Sequence, residues 1–71
     1  MDVQLKQRVY ELEKEAIAIQ EEINSVMYRL NNDKSMETLK SSNRQLKLLN
    51  KDLKANNKEL AKVLKLMQEN K

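Results

Sequence analysis

From Leu5 onward the apolar residues recur in alternating steps of four and three, at Leu5, Val9, Leu12, Ala16, Ile19, Ile23, Val26 and Leu30. A strand alternates every second residue and has no use for such a series. On a helix, a stripe with a period of about 3.5 stays on one face and winds paired helices around each other left-handedly. In heptad letters Val9, Ala16, Ile23 and Leu30 occupy a, while Leu5, Leu12, Ile19 and Val26 occupy d.

A second series runs Leu39, Ser42, Leu46, Leu49, Leu53, Asn56, Leu60, Val63, Met67 and Asn70, again alternating three and four. Its a positions are all apolar, whereas d includes Ser42, Asn56 and Asn70. A polar seam residue costs stability and is kept chiefly where it fixes register or partner number. Asn56 is the candidate for that role, and the competing reading is a locally weak, partly hydrated seam.

Leu30 and Leu39 are nine residues apart, a step that breaks the alternation. Nine residues turn a helix through about 900°, so one straight helix would carry its two stripes on opposite sides. The residues between include Asn31, Asn32, Asp33, Lys34 and Ser35, most of which compete with the helical backbone for hydrogen bonds. A break at 31–35 is therefore expected, between helices over about 2–30 and 36–70. Asn31 or Asn32 would close the first helix in a left-handed conformation, and Asp33 or Ser35 would cap the second with Glu37 near its positive end.

Charge favours folding back over a rod. Residues 1–30 hold six acids and four bases, net −2, and residues 31–71 hold ten bases and five acids, net +5. Laid antiparallel, the seams meet where residue numbers sum to 65, setting Val26 against Leu39 and Leu12 against Leu53. Alternatively they sum to 72, setting Leu12 against Leu60 and Ala16 against Asn56. The periodicity does not choose between these registers.

Composition narrows what such a hairpin can be. A chain of 71 residues is small for a self-sufficient core, and with no Cys or His it lacks disulfides and the usual transition-metal ligands. Partner chains are the remaining source of stability. The absence of Gly and Pro disfavours turn-rich sheet folds. No apolar run approaches the roughly 20 residues that span a bilayer, and no leader pattern opens the sequence, so an intracellular protein, cytoplasmic or nuclear, is expected.

Apolar residues outside the seams widen both stripes: Tyr10, Ile17 and Met27 in the first half, Leu64 and Leu66 in the second. That width suits a bundle of three or four helices better than an isolated pair. Tyr10 and Tyr28 either mark a binding surface or are singly exposed aromatics of no consequence.

No catalytic chemistry is visible. Ser25, Ser35, Ser41 and Ser42 have no His or Cys to activate them. Glu11 with Glu15, adjacent Glu21 and Glu22, and Asp2 with Lys6 read as solvated helix faces. Without Gly there is no phosphate-binding loop. The ordered charges lie in the second half, where Lys40, Lys47 and Lys54 recur at b, and Arg44, Lys51, Lys58 and Lys65 at f. They either keep a coiled coil soluble or form an electrostatic stripe for a polyanion.

The resulting expectation is an all-α coiled-coil module, residues 1–71, folded as an antiparallel hairpin and assembling into a dimer or small bundle. It would serve oligomerisation or scaffolding, with no enzyme activity, cofactor, metal or small molecule. Its partners would be a second copy or another helical protein, through the seam residues named above. Nucleic-acid association through the Lys and Arg stripe is the alternative, and membrane binding is not expected.

Overall fold

Leu, Lys, Glu, Gln and Ala together make up just over half of the chain, and all of them lose little rotamer freedom in a helix. In the computed structural model, which describes residues 3–69, they form two long helices. Helix α1 spans Val3–Asn32 and α2 spans Met36–Glu69. They pack against each other as an antiparallel hairpin whose long axis measures 53 Å. Met1, Asp2, Asn70 and Lys71 lie outside the described residues, and with them fall the expected Asp2–Lys6 pairing and the seam position of Asn70.

The turn is shorter than 31–35. Asn31 and Asn32 remain helical, leaving Asp33, Lys34 and Ser35 to reverse the chain. The left-handed closure expected at Asn31 or Asn32 does not occur, since no non-Gly residue among those described has positive φ. Instead the Asn32 amide donates to the Tyr28 carbonyl at 2.8 Å, and the Asp33 backbone N–H donates to the Arg29 carbonyl at 2.9 Å. The Asp33 bond satisfies a carbonyl that the end of a helix would otherwise orphan, and the Asn32 side chain adds a second donor to the last turn.

Ser35 caps α2. Its hydroxyl accepts from the Thr38 backbone N–H at 3.3 Å, the usual reach from an N-cap to the third helical residue. Asp33 braces this cap, one carboxylate oxygen accepting from the Ser35 N–H at 3.1 Å and the other from the Thr38 hydroxyl at 2.8 Å. Glu37 stands in the first turn, where a negative charge suits the helix dipole.

A three-residue turn centred on Lys34 sets a register different from both expected ones. Asn56 donates its side-chain amide to the Leu12 carbonyl at 3.0 Å, and Arg8 pairs with Glu59 at 3.0 Å. Level residues thus sum to about 68 rather than 65 or 72. Continued in heptad steps, Leu5 stands level with Val63, Ile19 with Leu49 and Val26 with Ser42. The d residues of one helix face the d residues of the other, and the a residues run side by side.

Burial follows the same division. Leu12, Val26, Ser42, Asn56 and Val63, all at d, are buried, with Leu5, Ile19 and Leu49 half-buried on the same line. All nine a residues, Val9, Ala16, Ile23 and Leu30 on α1 and Leu39, Leu46, Leu53, Leu60 and Met67 on α2, are only half-buried. The d line is therefore the core between the helices, and the a line lies open along one edge of it.

Candidate interaction surfaces

Two faces of the hairpin differ in chemistry. Arg8 and Glu59 both occupy g, so their ion pair places the g positions of the two helices on one face. That face carries Arg8, Glu15, Glu22, Arg29, Gln45, Asp52 and Glu59 beside the buried d line. Glu59 accepts a hydrogen bond from the Arg8 guanidinium and raises its pKa, reinforced by the nearby charges of Glu59, Glu11 and Glu15. Shallow grooves along this face are lined mainly by charged and polar groups, such as Glu22, Arg29, Gln45 and Asp52.

The opposite face is apolar along its middle and polar at its α2 rim, where Lys40, Lys47 and Lys54 stand at b and Asn43, Asn50 and Asn57 at e. It carries the half-open a line, flanked by positions e and b of each helix. Nine large hydrophobic residues are exposed among those described, and six of them stand on this side: Val3, Tyr10, Ile17, Met27, Met36 and Leu64. Tyr10 is itself covered on one side by the Lys14 ammonium, 5.3 Å from the ring centroid. Leu48 and Leu66 fall at c and g, beside the charged face. Tyr28 shares the outer side of α1 with Tyr10, five turns further on, and about 27 Å along the helix separates the two rings' positions, so the tyrosines do not form one patch.

Asn56 is a buried polar residue of the seam, 6% exposed. Besides its bond to Leu12, its amide lies 3.4 Å from a Glu15 carboxylate oxygen. Its own carbonyl oxygen is buried without a hydrogen-bond partner. The seam at Asn56 and Ser42 is among its most buried stretches. The amide ties two residues 44 apart in sequence.

The basic stripe lies along α2, with Lys40, Arg44, Lys47, Lys51, Lys54, Lys58 and Lys65 all exposed. Among the described residues none of these seven has an ion-pair partner. The stripe borders the apolar face through the b lysines and runs onto the back of α2 through the f residues.

Sequence reasoning overlooked Arg8, half-buried at a flanking position and the bridge between the helices. Its signal was available, since Arg8 and Glu59 are opposite charges at g in the two halves, but recognising it required the register. Thr38, half-buried beside the turn, was also missed, although its partners Asp33 and Ser35 are local in sequence.

Among the described residues no group of three potential ligands converges as a metal site, and no helix is long and apolar enough to cross a membrane. No protein-family model matches the chain, and neither does any curated protein or solved structure.

Proposed function

We propose that this chain is a structural association module whose hairpin docks through its apolar a face onto other helices, as a subunit of an oligomer or scaffold. One observation carries the reading: a continuous line of half-buried a residues shared by both helices, with most of the exposed large hydrophobics beside it, while the charges of the g positions lie on the opposite face. A pair of helices buries only one narrow seam, and contiguous exposed apolar surface on a small protein is characteristic of an interaction site. Sedimentation equilibrium at micromolar concentrations tests it. Association is expected, and a folded monomer with full helicity would overturn it.

A second reading draws on the seven unpaired cations of α2, a stripe of about 37 Å from Lys40 to Lys65 at 1.5 Å per residue. Such a row can neutralise phosphates and release counterions. α2 has no aromatic side chain to stack a base, so binding of this kind would be non-specific. Neutralising Lys47, Lys51, Lys54 and Lys58 together should then weaken polyanion binding and flatten its salt dependence. No binding to single or double strands at low salt removes this reading.

A further inference from the structure

The apolar face has a size and a charge pattern that specify what covers it. It runs along the 53 Å hairpin and is about two helix diameters, ~20 Å, wide. The footprint, apolar a line and polar rims together, is on the order of 1,000 Å² per copy, comparable with the ~800 Å² that each partner contributes to a stable interface. A second copy of this chain presents the same face at the same length. Two hairpins stacked face to face make a four-helix bundle in which the a residues become the central layers.

Two symmetric stackings exist, and the charges distinguish them. With the two-fold axis across the hairpin, α2 lies over α2 and the turns point to opposite ends. The b rows of the two copies, Lys40, Lys47 and Lys54, then share one rim, with Lys51 and Lys58 close behind. With the two-fold axis along the hairpin, α1 of each copy lies over α2 of the other and both turns meet at one end.

In the second stacking the register fixes the neighbours. The axis keeps both copies at equal height, so level residues across the interface again sum to about 68. Lys54 of one copy then stands level with Glu13 of the other, and Lys47 with Glu21. The central layers pair Leu46 with Ile23 and Leu53 with Ala16 across the interface, so each α2 leucine meets an equal or smaller side chain of α1.

We propose that two copies associate through their a faces with α1 over α2 and with both Asp33–Ser35 turns at the same end. This rests on the reading of that face as an association surface, and adds the identity of the partner and its orientation.

The chain has no cysteine, so Lys34→Cys gives a unique attachment point in the exposed turn, away from the face. Nitroxide labels there are read by pulsed dipolar spectroscopy on the full chain. The expected distance between copies is below about 25 Å, two helix diameters. A distance near the 53 Å hairpin length would overturn the orientation while leaving association intact. A folded chain with no dipolar coupling between copies at concentrations where sedimentation shows a monomer would overturn both.

A charge exchange gives an independent readout. Within one hairpin Glu13 and Lys54 lie on opposite outer edges, so they meet only between copies. Glu13→Lys should weaken association several-fold, and Lys54→Glu added to the same chain should restore it. Weakening without recovery in the double variant would contradict the stacking.

Discussion

The side-chain amide of Asn56 donates to the backbone carbonyl of Leu12, tying the middle of α2 to the middle of α1 at 3.0 Å. A helical carbonyl keeps a second lone pair after serving its own ladder, so Leu12 can accept without loss to α1. A polar residue in a seam can favour one axial position over its neighbours, and a seam of Leu, Ile and Val alone would not do so.

Asn56→Asp removes the donor and places a carboxylate against the Leu12 carbonyl and Glu15 in a buried site. It should destabilise the hairpin by about 2–4 kcal/mol at neutral pH, read as a lower urea midpoint. Asn56→Leu should be neutral or stabilising by about 1 kcal/mol, because the buried, unpartnered amide oxygen is removed with the bond. An Asn56→Leu variant as unstable as Asn56→Asp would show that the amide contributes net stability rather than register.

The Arg8–Glu59 ion pair spans the helices near their free ends, and both side chains remain substantially exposed, 40% and 51%. Solvent screening makes it a weak contributor. A double-mutant cycle with Arg8→Gln and Glu59→Gln should show a small favourable coupling at low salt that vanishes near 1 M salt, where the Debye length is about 3 Å. A coupling unaffected by salt would mean that the pair is more buried than the register places it.

At the turn, hydrogen bonds from the Thr38 hydroxyl and from the Ser35 backbone and side chain hold the Asp33 carboxyl below its ordinary pKa. A pKa depressed by folding contributes stability that is fully present above the unfolded value and is lost as pH falls through the folded one. Acidification below about pH 4 should therefore loosen the turn in the native chain, and Asp33→Asn should remove that component of the acid response. Ser35→Ala should cost about 1 kcal/mol at neutral pH through loss of the α2 cap. Amide hydrogen exchange at Thr38 and Leu39 reports both.

Substitution on the two faces separates association from folding. Under the proposed association through the a face, Ile23→Lys, on the half-open a line, should raise the dissociation constant by more than about tenfold. It keeps most of its helicity as a hairpin, since a half-buried lysine can carry its charge to solvent once the partner is gone. Leu48→Lys, on the charged side, should change neither. Equal loss of association in both variants would contradict the assignment of the apolar face.

Heptad spacing makes most of this architecture readable in advance, because burial between two helices repeats with the period of the helix itself. Every described a and d residue from Leu5 to Met67 is buried or half-buried, and among the other described residues only Arg8 and Thr38 are so placed. The nine-residue step from Leu30 to Leu39 likewise places the reversal of the chain. The register is less legible, because it depends on how many residues the turn consumes. Asn31 and Asn32 have weak helix propensity, yet they stay in α1 because Asn32 and Asp33 close its last turn by hydrogen bonds. Asp33 and Ser35 then start α2 at once. Moving the turn by a residue or two shifts the level sum, and periodicity carries no information about that shift. The division into an apolar and a charged face follows from the register, so it too is hidden until Asn56 and Leu12 are known to be level.

The central claim is that the seam closes within one chain, which leaves the a lines of both helices on a shared face. Spin labels at Gln7→Cys and Lys62→Cys, both outward-facing and exposed, test it when the doubly labelled chain is diluted into unlabelled protein so that only distances within one chain are read. The hairpin predicts a single distance within roughly 25 Å. A continuous helix would hold the same labels about 83 Å apart, 55 steps of about 1.5 Å, and such a distance would contradict the account.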